Sequence, residues 1–414
     1  MLPHLRALAV THRAADPTLG VVLSDPLGVS PASGGRGLEL SPREWAVIRR
    51  FDGRATLDEV SRAASRELGE DLVSGEARAL GERLSQLLLL RDARFEREFD
   101  NSFAAFRSLE ARAARGTGGE YEADAFDLRV RIGGLVADDW DMPPLPQAQG
   151  LITPSAPISR AGPLYSRAYA SIRHCRAHIA RIVVLGSVGA PLEPLLLPLS
   201  KPFDTPLGRV EPDREALAAL GHLPGREQLA HRDHLALERQ MLFLRVLFPD
   251  TPVVPTLVST PRLDELGEVD DGGALERALD GLRAVRALPG RTLIVAAADL
   301  WHAGRAPTAL ALGQELPRAR ATMLGGDLGR QVTDRDREAI DAATRIDHEI
   351  FLAAADQDGD PTRLALAAAP YLLLRLLEGS SSVLDGSDLK GSTLGYQQMP
   401  ASGEIATAAA IVFH

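Results

Sequence analysis

The chain has 414 residues, of which 45% are hydrophobic and 25% charged, so it is long enough for two or three domains and too apolar for wholesale disorder. A formal net charge of -10 argues against a general nucleic-acid binder, and no apolar run reaches the about 18–20 residues that a transmembrane helix needs. The single cysteine, Cys175, excludes an intrachain disulfide and a cysteine-cluster zinc site.

Residues 1–94 read as a first unit. Met1 to Arg13 lacks the apolar core and small-residue cleavage site of a signal peptide, so the chain is expected in the cytoplasm, away from membranes. Short β-like pieces such as 20–24 come first. Ser41, Pro42 and Glu44 then form an N-cap, a first helical proline and a capping-box partner. Asp52-Gly53 makes a turn, Thr56 caps a second helix, and Leu80, Leu84 and Leu87 mark a third at helical spacing. Small β pieces beside three helices suggest a winged helix.

Residues 95–150 read as a helix followed by a linker. The helix is polar and ends in Gly116-Thr-Gly-Gly119, and 138–150 is acidic, then rich in proline and glutamine. From 151 to 414, strands alternate with helices. Strands are expected at 181–186, 251–258 (near an edge, because of its prolines), 291–298 and 405–413. Helices are expected at 214–220, 230–247, 274–287, 334–354 and 361–377. This alternation predicts an α/β fold with helices covering both faces of a sheet.

Ligands in such sheets collect beyond the C-terminal ends of strands. Asp299 and His302 fall there, as a general base and metal ligand or, in the plainer reading, as a helix N-cap and a surface histidine. His231, His234 and Glu238 follow i, i+3, i+7, which gives one helix face that suits a metal or merely a solvated helix start. His174, Cys175 and His178 form a local set that supplies too few ligands for a site. Asp356 to Asp360 imitates a calcium loop, but Pro361 stands where glycine is needed and Ala367 where the bidentate glutamate is needed, so it reads as a turn.

Several segments carry a resemblance. Leu151-Ile-Thr-Pro-Ser-Ala, followed by Gly162-Pro-Leu-Tyr165 and Ala168-Tyr-Ala170, is similar to the opening of the MEMO-like family. The helix with Leu237-Glu-Arg-Gln240 resembles that family's "EHS.E.Q" helix. Ala298-Asp-Leu-Trp-His-Ala-Gly304 resembles its "S.DL.H.G" loop, and Thr205 to Val210 and Ser392 to Tyr396 fit further stretches in the same order. The resemblance spans about 118–414. Bacterial members are called AmmeMemoRadiSam system protein B, and the family shares the fold of class III extradiol ring-cleaving dioxygenases. Residues 38–90, with Phe51 to Thr56, resemble PqqD-like domains, which bind a leader peptide by adding a strand to their sheet.

The resemblance also implies a metal site, and this chain departs from it. The family's ligand positions are filled here by Ser155, Gly189, Leu235 and Trp301, with His234 where the family has glutamate; His302, Asp299, Glu238 and Gln240 remain. Ser155, Gly189, Leu235 and Trp301 lack the imidazole, thiolate and carboxylate donors that a cation needs. The expectation is therefore a binding or scaffold protein with no cofactor, in a peptide-modification or radical-SAM-linked pathway. A protein or peptide partner would bind the N-terminal unit, and a homo-oligomer is left open. The alternative is an oxidoreductase or hydrolase using iron, copper or zinc at a relocated site of Asp233, His234, Asp299 and His302. Trp301 is expected to fill the family's metal space, packed near Ser155 and Gly189.

Overall fold

A computed structural model describes residues 3–12, 20–33, 37–139, 143, 145–221, 225–263, 269, 272–304, 326–356, 361–380, 388–401 and 404–414, with only the backbone for 12, 33, 138, 302–304, 326–329, 331, 361–362, 400–401 and 404–405.

The N-terminal unit begins with β1 (Ala9–His12), β2 (Val21–Ser24) and β3 (Leu38–Leu40), an antiparallel sheet in the order β1-β2-β3. Three helices follow, α1 (Pro42–Ile48), α2 (Leu57–Leu68) and α3 (Ser74–Gln86). Ser41 and Thr56 each close a full capping box, with Glu44 and Glu59. Leu23, Leu40, Ile48, Phe51, Val60 and Leu84 meet in a small core of its own.

Next come α4 (Ala93–Ser108) and α5 (Ala125–Asp138). Both belong to the main core, through Phe95, Phe99 and Phe106 from α4 and Leu128, Ile132 and Val136 from α5. Leu27 and Val29 of the N-terminal unit join the same cluster.

The main body runs through β4 (Gly150–Thr153), α6 (Ile158–Ser171), β5 (Ile179–Ser187), β6 (Leu196–Pro198), β7 (Phe203–Thr205), β8 (Gly208–Val210) and α7 (Arg214–Ala219). It continues with α8 (Leu235–Leu247), β9 (Val253–Val258), α9 (Ala274–Arg286), β10 (Arg291–Ala297) and β11 (Trp301–Gly304). Last come α10 (Gly326–Thr344), α11 (His348–Asp356), α12 (Pro361–Leu377), β12 (Gly391–Ala401) and β13 (Glu404–Phe413). The sheet order is β11-β13-β4-β10-β5-β9-β6, with β12 paired to β13. β4, β10, β5 and β9 run parallel, while β6, β13, β12 and β11 are added antiparallel. The strands alternate as pleating requires. Ile182, Val184, Leu293 and Val295 face the α8 side; Val183, Leu185, Ile294 and Ala296 face the α9 and α12 side.

Several helices differ from the sequence expectation: α4 stops at Ser108 and not at Gly116, and α5 and α6 stand where no helix was expected. The helix expected at 230–247 starts at Leu235, because Arg226–His231 is a 3-10 turn and His234 is an extended N-cap whose side chain accepts from Leu237 N. The helix expected at 334–354 is two helices, broken where Ile346 adopts a positive φ of 58°. Among the described residues, no helix is long and apolar enough to cross a membrane.

Candidate functional site

Because β4, β10 and β5 are parallel neighbours, their C-terminal ends lie side by side. This brings together Ser155 after β4, Asp299 after β10 and Gly189 after β5, where α/β sheets place ligands. The start of α8 closes the same end. His234 Nε2–H donates to Ser187 O at 3.1 Å, and a Cβ at Gly186 would stand 3.0 Å from Leu237, so the helix sits tightly on β5.

The polar residues retained here hold backbone. The Ser155 and Ala156 N–H groups donate to Asp299 Oδ1 at 2.8 and 3.1 Å. Tyr165 OH donates to Ala156 O at 3.1 Å, and Arg239 Nη1 donates to Ser155 O. Gln240 Nε2 donates to Pro154 O at 3.0 Å, while its Oε1 accepts from Thr153 at 3.0 Å and Tyr169 at 2.6 Å. Tyr165 and Tyr169 stack on Phe243 with centroids 4.9 and 4.7 Å apart. The 153–156 loop is therefore tied by groups from β10, α6 and α8.

Glu238 is the hub of a second knot. It is 0% exposed and accepts from Gly116 N at 2.7 Å, Arg115 N at 3.0 Å, Tyr121 OH and Arg112 Nη1. Arg112 in turn donates to His231 O at 3.0 Å and His234 O at 3.2 Å and lies over the Phe203 ring. Burial pulls its guanidinium down to about 9, still cationic at neutral pH. Arg239 pairs with buried Glu120. A Cβ at Gly116 would come within 2.6 Å of Tyr121, so only glycine fits there. These partners come from the stretch read as helix and linker, and sequence reasoning missed Arg112, Glu120 and Tyr121. The Gly116–Gly119 turn was the one available signal, since a glycine-rich turn beside charged residues marks close backbone approach.

His231, His234 and Glu238 do not share a face, because the 3-10 turn and the extended His234 break the helical phase. His231 Nε2 meets Leu197 O at 2.7 Å, and burial pushes its imidazole down to about 3. His234 uses both ring nitrogens, and burial pushes it down to about 4. Asp233 is held by Arg232 at 2.8 Å and Arg115 at 2.9 Å. His174, Cys175 and His178 lie in turns after α6, where burial raises the Cys175 thiol to about 11. The backbone of His302 pairs with Ala406 across β11 and β13; its side chain and the 357–360 turn lie outside the described residues.

At the four positions where the family places metal ligands, Leu235 is 5% and Trp301 6% exposed, Ser155 lends its backbone to the loop, and Gly189 carries a positive φ of 80°. This donor set does not fit a cation. Among the described residues, no three His, Cys, Asp or Glu side chains gather to hold one. Trp301 is buried, but the atom nearest a Cβ at Gly189 is Ala9 Cβ at 3.5 Å, not the indole. The indole instead stands 5.5 Å from Arg363 of α12. The space beside Gly189 belongs to the N-terminal unit, whose β1 runs beside β11 and α12. Its 25–30 loop docks on the turn before α8, where Arg232 Nη2 donates to Gly28 O at 2.7 Å.

A mixed sheet covered by helices, with this strand-end cleft and the retained Asp299, Glu238 and Gln240, defines an α/β protein of the MEMO-like, extradiol dioxygenase-like architecture. The chain belongs to the Memo-like protein family, whose model matches residues 112–377. It is 29% identical to a MEMO1 family protein of Thermus thermophilus over 353 residues, 83% of this chain and 97% of that protein. A MEMO1 family protein of Aquifex aeolicus is 20% identical over 396 residues, 95% of this chain and 96% of that one, so this match reaches into the N-terminal unit.

Proposed function

We propose that this chain is a binding or scaffold member of the Memo-like family whose metal site has been lost, working in a peptide-modification or radical-SAM-linked pathway. One observation carries the reading. Ser155, Gly189, Leu235 and Trp301 offer no ligand set, while Asp299, Glu238, Arg239 and Gln240 spend their polar atoms on the chain's own backbone and side chains. The N-terminal unit supports a binding role. Its capped helices and three-stranded sheet suit a PqqD-like winged helix, and β1 lies against the main body, which leaves β3 as the sheet edge for an added peptide strand. The competing reading, a metal-dependent oxidoreductase or hydrolase using Asp233, His234, Asp299 and His302, finds its first three groups already engaged.

Elemental analysis of the full chain, purified without added metal, tests this. The expected result is no stoichiometric iron, copper or zinc. About one metal per chain, lost in His302→Ala, overturns it.

A further inference from the structure

Along β6, at the sheet edge opposite β11, lies a groove of about 820 Å³. Leu192, Leu195, Leu196, Leu220, Pro261 and Ala278 make its floor, and Arg91, Arg262, Arg277, Glu193 and Glu227 its rim. A second hollow of about 350 Å³ shares Arg91, Leu192 and Glu193 and runs on beneath His4 to Ala7 of the N-terminal unit. Cavities of this size at a domain seam, apolar below and polar above, are where proteins take ligands.

The strand in the wall has unspent backbone. Ser259 N donates to Leu195 O at 2.9 Å and Leu199 N to Pro255 O at 2.8 Å, with Leu196 opposite Val258 and Pro198 opposite Thr256. In an antiparallel ladder this parity turns the N–H and C=O of Leu196 and the C=O of Pro198 away from β9, toward the open edge. The rim is not neutralised either. Glu193 pairs with Arg262 at 3.0 Å; among the described residues Arg277 donates to Gly272 O at 3.1 Å, and neither Arg91 nor Glu227 has an ion pair, which leaves two cations against one carboxylate.

We infer that this groove is a peptide site, in which an extended acidic segment of a partner protein adds to the β6 edge. Its backbone pairs with Leu196 and Pro198, alternate apolar side chains rest on the leucine floor, and carboxylates meet Arg91 and Arg277. An extended chain matches all three features at once, because its side chains alternate with period two while its amides face the strand. The inference rests on the reading of this chain as a binding protein, and it names a surface separate from β3.

The test selects peptides from a displayed random library on the immobilised full chain, then titrates the enriched peptides, fluorescein-labelled, by anisotropy. The expected peptides alternate apolar and acidic residues. Their affinity should fall about tenfold or more in Arg91→Glu/Arg277→Glu. It should fall likewise in Leu196→Pro, which removes the outward N–H together with one leucine of the floor, at an edge where proline is tolerated. Circular dichroism melts should match the parent chain for the arginine pair, which keeps the test valid if the proline variant misfolds. Failure to enrich any peptide, or enriched peptides indifferent to both variants, overturns the proposal. Peptides that are lost instead on Glu39→Pro in β3 overturn the groove while leaving the binding-protein reading intact; that reading stands or falls separately on metal content.

Discussion

At the strand-end cleft, Glu238 is fully buried and answered by Arg112, Tyr121 and two backbone amides; along β6, Arg277 stands exposed with one carbonyl for a partner. Both regions hold charged side chains over apolar floors. In the cleft, Asp299, Glu238, Arg239 and Gln240 bond within the chain, and the N-terminal unit covers Gly189. In the groove, arginines and strand amides are left over. Polar residues in a family's cleft therefore do not by themselves mark chemistry. The informative quantity is whether their atoms are already spent, since a buried donor or acceptor costs free energy unless it is paired.

Changes in the cleft should move stability, and changes in the groove should move binding. The largest effect is expected for Glu238→Gln, which leaves Arg112 as an uncompensated buried charge. Urea unfolding should show a loss of about 3–5 kcal/mol. A loss below about 1 kcal/mol would mean that the knot is not a structural hub.

Trp301→Ala should cost about 3–4 kcal/mol by the same measurement, through the cavity left beside Arg363. The variant should also loosen β1, read as faster amide exchange at Ala9 to His12. Unchanged exchange there would separate the tryptophan from the docking of the N-terminal unit.

Acid should weaken the cleft next. The folded pKa values of His231 and His234, about 3 and 4, lie below the unfolded value near 6.5. The unfolded chain then binds protons that the native chain does not. The stability from the two neutral imidazoles is complete above about pH 6.5 and is lost as pH falls toward 4 and then 3, at about 1.4 kcal/mol per pH unit per histidine. Urea midpoints between pH 6.5 and 5 should fall with a slope that His231→Gln reduces. Parallel curves would remove His231 from the account.

The smallest stability change belongs to the groove. Arg277→Glu, at an exposed site, should stay within about 0.5 kcal/mol of the parent chain. A larger loss would make that arginine structural and erase the contrast between the two regions.

Much of the fold was legible locally. Ser41 with Glu44 is a capping box both in the sequence and in space, and the Thr56 cap gains Glu59 as its partner, because the bonds span three residues. The strands at β5 and β10 declare themselves as apolar runs covered on both faces. The start of α8 lies five residues later than expected, since His234 is a weak N-cap by type and its ring is held by Ser187 O and Leu237 N.

Local pattern thus gave the helices with strong caps, the parallel strands and the family. Tertiary structure alone decided that Glu238 answers Arg112 across 126 positions, that Asp299 holds the 155–156 amides, that Ala9 rather than Trp301 fills the space at Gly189, and that β6 opens onto a groove. The reason is physical. Caps and pleats are bonds between near neighbours and leave a pattern at fixed spacing. A buried charge needs a partner of opposite charge, and nothing in its own segment says where along the chain that partner lies.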